Sequence, residues 1–384
     1  MAERAAEAGL SEVLIYLGDL RRRTLHLLVR EAVAGERTLG GHATALSIDG
    51  TVAGRSYQHG RIIPTAERHG GLHRFWVPLR DSNERLGVLH IASATDDEHT
   101  RADMMSLAAL VGMMIIGSRG TSDSYTLLTR TRHMDLAAEM QWELMAPRTY
   151  ADGRIVVGAA VEPAYEAGGD AYDYAVTGDG VHLSIFDAMG HDTAAGLTVN
   201  LALSACRTQR RRGAGLAEVS EEVDRTVGRQ FGSDRFVTAI LAHLDTSTGV
   251  FTWVNRGHPP PTVIRDGRWT SQLASRPAHP LGTELGLPVE LCSEHLQPGD
   301  RIVLYTDGIT EARKPGSQEF GLGRFTDFLI RHNADGLPVP ETVRRFMRAV
   351  LDHHDGHLQD DATILLCEWL GPTRNSGLPQ SPTG

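Results

Sequence analysis

The sequence predicts an α+β protein with two domains joined by a helix. Residues up to about 117 combine short strand patterns with one long apolar helix, whereas residues after 153 are rich in β-branched and alternating apolar segments. The helical segments of this second half come in pairs between strands and do not follow strict β-α-β alternation. This order favours two packed sheets with helices outside over a doubly wound fold.

Composition narrows the function classes. The chain has 384 residues, 41% hydrophobic and 22% charged, enough for two or three domains with cores of their own. Its formal net charge of −10 argues against general nucleic-acid binding, which needs concentrated Lys and Arg. The widely separated Cys206, Cys292 and Cys367 give neither a disulfide framework nor a zinc site, and they suit a reducing compartment.

The same reading predicts a cytoplasmic protein without a membrane partner. The first residues are acidic and Ala-rich, without the basic start and apolar core of a secretory signal. The most apolar segment, 104–117, has about 14 residues, whereas a bilayer span needs roughly 20.

The first domain, residues 1–120, is predicted to be an antiparallel sheet covered by one helix. Its predicted elements are strands at Val13–Tyr16, Thr24–Val29, Phe75–Leu79 and Leu86–Ile91, the last two forming a hairpin, and a helix at Ala102–Ile116. Turn and capping residues from Gly117 to Ser124 mark the boundary.

Residues 121–148 are predicted to form a linker helix that ends at Pro147. Leu136, Met140 and Leu144 lie on one stripe, which predicts packing either in a core or in a coiled coil. Because this helix joins the two domains, a change in dimer geometry of the first would pass through it to the second.

The second domain, residues 149–370, is predicted to be rich in strands, and residues 371–384 to be a disordered tail. Predicted strands are Arg154–Val161, Val181–Phe186, Phe236–Leu244, Val250–Asn255, Thr262–Arg265, Arg301–Tyr305 and Ala362–Trp369. Predicted helices are Thr193–Thr208, Leu216–Gln230, Gly321–His332 and Pro340–His353.

Four acidic clusters lie in this second half, each beside a predicted strand end. They are Gly168-Gly169-Asp170-Ala171-Tyr172-Asp173, Phe186-Asp187-Ala188-Met189-Gly190-His191, Tyr305-Thr306-Asp307-Gly308 and Asp360-Asp361-Ala362-Thr363. If the fold brings them together, two carboxylates roughly 4 Å apart repel each other by about 4 kcal/mol at an effective dielectric constant of about 20. A cation must then lie between them, and oxygen ligands without a Cys or His cage favour Mg²⁺ or Mn²⁺ over zinc. The pattern predicts a metal-dependent enzyme.

Each cluster alone has an ordinary alternative. Gly168 and Gly169 supply backbone freedom, including positive φ, that would turn Asp170 inward, but the same residues mark common turns. Asp187 has the alternative of a helix N-cap, and Asp307 that of a type I or II turn. Adjacent acids at a strand start, such as Asp360 and Asp361, usually face solvent. The four together, in this order, are harder to assign to turns.

The motifs resemble two known families. Glu166-Ala-Gly-Gly-Asp-Ala-Tyr-Asp173, Phe186-Asp-Ala-Met-Gly-His191, Asn255-Arg-Gly-His-Pro259, Gln297-Pro-Gly-Asp300, Leu304-Tyr-Thr-Asp-Gly-Ile-Thr-Glu311 and Asp360-Asp-Ala-Thr363 look like the PPM-type protein serine/threonine phosphatases of the SpoIIE branch, over residues 134–370. The linker helix, with Ala138-Glu139-Met140-Gln141 and Ala146-Pro147, is also like the helix that precedes these domains. Residues 10–118 resemble a GAF domain, through Ile48–Gly60, Trp76–Leu79 and Leu86–Leu89.

The phosphatase resemblance implies a β-sandwich flanked by helices, with two Mn²⁺ or Mg²⁺ ions at one edge. Asp187 would bridge the ions and the Ala188 carbonyl would be a further ligand, although the family usually has Gly at that position. A methyl group fits there if φ is negative. Asp170 would serve one ion, and the other would be held by Asp307 and by Asp360, with Asp361 as the alternative.

The reaction implied is hydrolysis of phosphoserine or phosphothreonine on a protein, because water bridging two divalent ions loses a proton near neutral pH. His191 or His258 would protonate the leaving oxygen or play structural roles, and Arg256 is a candidate phosphate ligand. By resemblance, the substrate would be a STAS-type anti-sigma-factor antagonist. The GAF-like domain and the linker helix would form a homodimer that regulates turnover.

Two other functions stay open. One is a sensor scaffold that binds a signalling partner with little turnover, although the presence of all four acidic clusters argues against it. The other is a two-metal phosphodiesterase or nucleotide hydrolase, which usually has His ligands among its acids. In the first domain, His59, His69 and His73 are more typical of surface or satisfied histidines than of haem or metal ligands.

Overall fold

The computed structural model of the chain divides into two compact units, residues 1–133 and 134–384. The predicted boundary at 117–124 lies a few residues before this division. The structure describes residues 9–28, 38–39, 42–66, 71–81, 84–119, 121–166, 168–190, 192–267, 269–311, 320–354, 358 and 360–372. Among the predicted features, Val29, His69, His191 and the tail from 373 lie outside these ranges.

The first unit is built on a six-stranded antiparallel sheet with the strand order β5-β2-β1-β8-β7-β6. Its strands are β1 (Leu10–Gly18), β2 (Thr24–Leu27), β3 (Thr38–Leu39), β4 (His42–Ala43), β5 (Ala45–Ser47), β6 (Ile63–Pro64), β7 (His73–Arg80) and β8 (Arg85–Ser93), of which β3 and β4 pair separately. Its helices are α1 (Val52–His59), α2 (Glu98–Ser118) and α3 (Ser124–Thr129). The predicted hairpin and long helix are present.

Helix α2 covers one face of this sheet. It begins at Asp97, whose carboxylate accepts a hydrogen bond from the Thr100 amide at 2.8 Å. Met104, Leu107 and Val111 face a core that contains the buried side chains of β7 and β8. Among the described helices, α2 alone is long and apolar enough to cross a membrane by length and composition, with 21 residues, an 18-residue window of mean hydropathy 1.3, and 33% of that window buried. A core helix of a soluble protein passes the same test.

The second unit contains two antiparallel sheets. One has the order β16-β15-β18-β19-β10-β9 and the other the order β11-β12-β13-β14-β17. The strands are β9 (Thr149–Ala151), β10 (Ile155–Glu162), β11 (Asp170–Val176), β12 (Gly180–Ala188), β13 (Val237–Asp245), β14 (Val250–Arg256), β15 (Thr262–Arg265), β16 (Trp269–Gln272), β17 (Cys292–His295), β18 (Arg301–Tyr305) and β19 (Ala362–Trp369). The helices are α4 (Leu136–Leu144), α5 (Thr193–Arg211), α6 (Leu216–Phe231), α7 (Asp307–Thr310), α8 (Gly321–Ala334) and α9 (Val339–His353).

Strand β18 shows how the layers are held, because all five of its residues are buried. Ile302 and Leu304 enter a core that contains side chains of both sheets and of α5 and α6. Val303 and Tyr305 point the other way, into a second core with α8 and α9. Side chains alternate across a strand, so a continuous apolar run serves two cores. The second unit is therefore a sandwich of two sheets with helices outside, as the sequence predicts.

The linker helix corrects one expectation. Helix α4 begins at Asp135, whose carboxylate accepts from the Ala138 amide at 2.8 Å, and it belongs to the second unit. Leu136 is 77% exposed and Met140 41% exposed, so the core alternative for the apolar stripe is wrong at these two positions. The buried face consists of Ala137, Ala138 and Gln141. Small residues allow the helix to approach helix α5 closely, and the coiled-coil alternative stays a prediction.

Candidate metal centre

Asp170 and Asp187 are direct partners in adjacent strands. Asp170 begins β11 and pairs with Asp187 near the end of β12, and directly opposite side chains of an antiparallel pair lie on the same face. The Asp170 carboxylate accepts a hydrogen bond at 2.7 Å from the hydroxyl of Thr306, which follows β18 in the opposite sheet. The two carboxylates therefore lie between the sheets, at one end of the sandwich.

Asp361 joins this pair from the start of β19. Its carboxylate accepts a hydrogen bond from the Gly169 amide. The residue as a whole is 5% exposed. Neither Gly168 nor Gly169 has a positive φ, so that expectation is wrong. Glycine is needed for space instead, because a Cβ on Gly169 would lie 2.4 Å from the carbonyl oxygen of Ala188.

Asp307 lies on the more exposed side of the same cluster. It is the first residue of the one-turn helix α7, not the centre of a type I or II turn. Burial is the largest cause that raises its pKa, followed by the charges of Glu311 and Asp360. A Cβ on Gly308 would lie 1.8 Å from the Asp361 carbonyl oxygen, so only glycine lets α7 pass this close to the start of β19.

The electrostatics identify Asp187 as the shared member of the cluster. Burial is the main cause that raises its pKa to about 8, and the charges that add to this effect are those of Asp307, Asp360 and Asp361. Asp170 is raised well above the usual range by burial and then by Asp187 and Asp361. The charge of Asp187 is thus repelled by two pairs of carboxylates. One pair is Asp170 and Asp361, and the other is Asp307 and Asp360.

Asp360 and Asp361 differ in their surroundings, although they are adjacent in sequence. Asp360 is exposed, and its carboxylate accepts a hydrogen bond at 2.9 Å from the Asp361 amide. The Asp361 carboxylate is occupied by the Gly169 amide and lies beneath the surface. Asp360 is therefore the freer ligand of the two.

The backbone at position 188 accommodates alanine where the family usually has glycine. It lies in β12 without a positive φ, is buried, and donates its amide to the Gly169 carbonyl at 2.8 Å. Asp187 is likewise a strand residue. The N-cap of the following helix is Asp192, which accepts from the Ala195 amide at 2.8 Å, so the N-cap alternative for Asp187 is wrong.

The cluster fits divalent cations by donor type and charge. Its donors are carboxylate oxygens, which suit Mg²⁺ and Mn²⁺, and the raised pKa values of Asp170, Asp187 and Asp307 are what unneutralised carboxylates produce. No three acidic, imidazole or thiol groups of the described residues already lie within ligating reach of one ion. The described carboxylates therefore do not form a closed cage around one ion.

Three further residues support the cluster, and the sequence reasoning did not identify them. The Thr306 hydroxyl donates to Asp170 and accepts from the Thr363 amide at 2.9 Å. On helix α4, the Gln141 side-chain amide donates to the carbonyl oxygens of Asp170 and, at 3.4 Å, of Gly168. Thr306 and Thr363 lie in two of the predicted acidic clusters, and Gln141 lies in the linker-helix motif. The motifs therefore contain all three residues but do not indicate their contacts.

Two candidate residues have other roles. His258 is buried, and burial lowers its pKa to about 3. Its Nε2 donates to the Tyr305 carbonyl at 3.0 Å, so its Nδ1 accepts from the Thr238 hydroxyl at 2.8 Å. With both ring nitrogens engaged, the role of general acid is wrong for His258 and the structural alternative holds.

Arg256 is the second. It is 1% exposed and its guanidinium lies 3.0 Å from the carboxylate of Asp224, next to His279. A buried, paired guanidinium cannot reach a substrate phosphate, so that candidate role is wrong.

Comparison with known sequences finds one family model and curated relatives. The family model of stage II sporulation protein E (SpoIIE) matches residues 177–370. The phosphoserine phosphatase RsbU of Bacillus subtilis (strain 168) is 23% identical over 240 residues, covering 61% of this chain and 69% of RsbU. The phosphoserine phosphatase RsbP of the same organism is 25% identical over 189 residues, covering 48% of this chain and 46% of RsbP.

Among solved structures, the RsbU and RsbW domains of Rv1364c from Mycobacterium tuberculosis match with 29% sequence identity and a TM-score of 0.51. That match covers 58% of this chain and 63% of the other. The chain thus spans less than two thirds of RsbP and of the Rv1364c structure.

Proposed function

This chain belongs to the SpoIIE family of PPM-type protein serine/threonine phosphatases, and from that premise we propose that it hydrolyses phosphoserine or phosphothreonine on a regulatory protein with the help of two Mn²⁺ or Mg²⁺ ions. The relatives RsbU and RsbP are phosphoserine phosphatases. Phosphate esters of serine on a protein are therefore the substrate class that the comparisons favour.

The observation that carries the proposal is that Asp187 pairs with Asp170 and that carboxylates from two further chain segments add charge to this pair. Asp170 is its strand partner, and Asp361 adds charge from the buried side. Asp307 and Asp360 add charge from the more exposed side. One carboxylate shared by two acidic groups is the arrangement that a pair of ions needs, and mutual repulsion disfavours it without them.

The residues would hold the ions in the following way. Asp187 would bridge the ions, Asp170 and the Ala188 carbonyl would hold one, and Asp307 and Asp360 the other. When bound, the ions would supply an activated water and neutralise charge on the phosphoryl oxygens. Thr306 would keep the Asp170 carboxylate oriented, because its hydroxyl is fixed by the Thr363 amide.

Regulation and partners belong to the same proposal. The substrate would be a STAS-type anti-sigma-factor antagonist in a partner-switching pathway of the cytoplasm. The first unit would act as a GAF-like sensor, supported by its antiparallel sheet with α2 on one face. Homodimerisation would use this unit together with the exposed Leu136 and Met140 of α4.

The test is Mn²⁺-dependent release of phosphate from p-nitrophenyl phosphate and from a phosphoserine protein. Asp187→Asn and Asp307→Asn are expected to abolish it, because each removes one of the charges that the ions require. A matched control is Asp335→Asn, an exposed acid at the end of α8. Equal background in wild type and both site variants would leave only the scaffold function.

The alternative of a phosphodiesterase or nucleotide hydrolase is separated by substrate. Hydrolysis of a cyclic dinucleotide faster than of phosphoserine proteins would favour it. The cluster argues against it, since the described ligand candidates contain no histidine and the nearby His258 has both nitrogens engaged.

A further inference from the structure

Thr238 and His258 form a hydrogen-bonded link between the two sheets, at the end of the sandwich where the acidic cluster lies. Thr238 lies on β13, and its hydroxyl oxygen lies 2.8 Å from the Nδ1 of His258. The Nε2 of His258 lies 3.0 Å from the carbonyl oxygen of Tyr305, the last residue of β18. The next residue, Thr306, donates to the Asp170 carboxylate. The link therefore ends beside a residue that orients one of the cluster carboxylates.

The direction of both hydrogen bonds follows from the carbonyl group. A carbonyl oxygen only accepts, so the Nε2 of His258 must carry a proton. Burial disfavours the charged ring, and His258 is 3% exposed, so the ring is neutral and its Nδ1 has no proton. The Thr238 hydroxyl must then donate its own proton to Nδ1.

This direction makes the Thr238 oxygen a pure acceptor toward its other neighbours. A hydroxyl has one proton and two lone pairs. Among the described residues, His258 is the hydrogen-bond partner of this hydroxyl and takes its proton. Any group that hydrogen-bonds to the other side of the Thr238 oxygen must therefore supply a proton of its own.

The Thr238 hydroxyl lies beside the carboxylate that would bridge the ions. Thr238 pairs with Asp187 across strands β13 and β12. Opposite residues of an antiparallel pair place their side chains on the same face, with Cβ atoms about 4.5–5.5 Å apart. Both residues are half-buried, so water has access to this part of the site.

The backbone of His258 is held in place, and the hydroxyl with it. The His258 amide donates to the side-chain oxygen of Asn255 at 2.9 Å, and the side-chain nitrogen of Asn255 donates to the His258 carbonyl at 2.9 Å. Gly257 between them has a φ of 74°, which favours glycine. An acceptor that is already oriented needs no reorganisation when the substrate arrives.

We propose that Thr238 positions the water that attacks phosphorus, by accepting a hydrogen bond from it beside Asp187. The inference rests on the proposed function. It adds to that function a catalytic residue, Thr238, and a positioning residue, His258, which acts through the Thr238 hydroxyl. The oxygens of an ionised phosphoryl group carry no proton and cannot donate to Thr238, whereas water can.

Thr238 takes no proton in the reaction. The water oxygen forms a bond to phosphorus, and the bond from phosphorus to the serine oxygen breaks. One water proton ends on the serine hydroxyl and the other on the released phosphate. Thr238 only fixes the direction from which the water approaches, and such alignment of reacting atoms raises the rate.

The experiment compares wild type, Thr238→Val and Thr238→Ser in the full chain loaded with Mn²⁺. Water exchange at the bound ion is measured by ¹⁷O NMR relaxation, and hydrolysis of p-nitrophenyl phosphate gives kcat and KM. In Thr238→Val we expect bound water to exchange about threefold faster and kcat to fall about tenfold, because the water loses one hydrogen bond. KM and the Mn²⁺ affinity should stay within about threefold of wild type, since the lost contact is not with the phosphate or the ion. Thr238→Ser keeps the hydroxyl and should restore both values.

The matched control is Thr252→Val, on β14 of the same sheet. Thr252 is also half-buried, and its hydroxyl donates to the His243 carbonyl at 3.3 Å, toward the other end of the sheet. This variant should leave water exchange and kcat unchanged. Thr238→Cys guards against loss of folding in Thr238→Val, because its thiol still donates to His258 but accepts only weakly. It should also show the faster water exchange.

The possible failures are distinguishable. A wild type that binds no Mn²⁺ and releases no phosphate would overturn the proposed function, and the inference with it. An active wild type whose water exchange and kcat stay the same in folded Thr238→Val or Thr238→Cys would overturn the inference alone. A fall in kcat that is matched by an equal loss of Mn²⁺ affinity would assign Thr238 to the support of the ion ligands, which also overturns it.

Discussion

Two adjacent aspartates with different surroundings illustrate what decides function at the scale of single residues. Asp360 is exposed, and its charge raises the pKa values of Asp307 and Asp187. Asp361 is 5% exposed, and its carboxylate accepts a hydrogen bond from the Gly169 amide. From sequence alone both were candidates, because adjacent acids carry no signal about which one turns inward. The burial of Asp361 depends on Gly168, where a Cβ would lie 2.4 Å from the Asp361 carboxylate, and on the Gly169 amide that donates to this carboxylate.

These surroundings predict that one substitution lowers activity and the other lowers stability. Asp360→Ala is expected to lower Mn²⁺-dependent activity at least a hundredfold with an unchanged melting temperature, because it removes an exposed ligand. Asp361→Ala is expected to destabilise the domain by about 1–3 kcal/mol, because the buried Gly169 amide loses its acceptor. Activity at saturating Mn²⁺ and urea unfolding of each variant measure the two effects. A large stability loss in Asp360→Ala would contradict the assignment.

At the scale of elements, helix α4 joins the metal centre through one side chain. Gln141 donates to the carbonyl oxygens of Gly168 and Asp170, which lie at the start of β11. The helix is therefore a support of the strand that carries Asp170, and not only a connection between domains. Its exposed Leu136 and Met140 leave the opposite side available for a partner.

Gln141→Ala is expected to weaken Mn²⁺ affinity about tenfold, since residues that orient metal ligands typically contribute that much or more. The reason is that the Gly168 and Asp170 carbonyls lose their donor and the start of β11 loosens. The measurement is the Mn²⁺ concentration for half-maximal activity. Glu143→Ala, an exposed change on the same helix, is the control and should leave that concentration unchanged.

His258 connects three elements and predicts a pH dependence of stability. It hydrogen-bonds Thr238 on β13 and the Tyr305 carbonyl at the end of β18, and burial lowers its pKa from 6.5 to about 3. The folded state thus keeps the ring neutral where the unfolded chain binds a proton. This contribution is complete above pH 6.5 and is lost as pH falls from there toward 3.

We expect His258→Gln to remove this part of the acid sensitivity. Between pH 7 and 5.5, wild type should lose roughly 1 kcal/mol of unfolding free energy more than the variant, because the unfolded ring gains a proton over this range. Urea unfolding of both proteins at the two pH values gives the difference. Parallel losses in the two proteins would show that His258 is protonated in the folded state.

The elements also show how far sequence reasoning reaches. Thr262–Arg265, Arg301–Tyr305 and Ala362–Trp369 were predicted with the bounds that the structure has, because buried strands read as continuous apolar runs. The short edge strands β16 and β17 were not, since a strand of four residues carries little pattern. The acidic clusters were predicted from local motifs, whereas the contact of Thr306 with Asp170 joins residues 136 positions apart and has no local signal.

At the scale of the whole molecule, the two units have separate cores. Side chains of residues 10–128 form the cores of the first unit, and those of residues 142–369 form the cores of the second. The boundary between His133 and Met134 leaves α4 with the second unit. A chain with independent cores is expected to unfold in more than one step.

Residues 134–384 are therefore expected to fold alone and to keep Mn²⁺-dependent activity, since every residue of the cluster and Gln141 lies within them. Removal of residues 1–133 should change the number of chains per particle, measured by light scattering, or the turnover rate, because the first unit is the proposed sensor and dimerisation module. Thermal unfolding and phosphate release compare the fragment with the full chain. The same number of chains per particle and the same rate in both proteins would remove the regulatory role from the first unit.

The pairing of Asp170 with Asp187 makes ion binding a check on strand alignment. If β11 shifted by one position against β12, Ala171 or Gly169 would occupy the place of Asp170, and its carboxylate would turn away from the sandwich interior. A molecule with this shifted register would lack one carboxylate of the metal centre and would bind ions weakly. In a refolding mixture, Mn²⁺ should bind to molecules with the correct register of β11 and β12 and protect them from proteolysis. Molecules with a shifted register should stay unprotected.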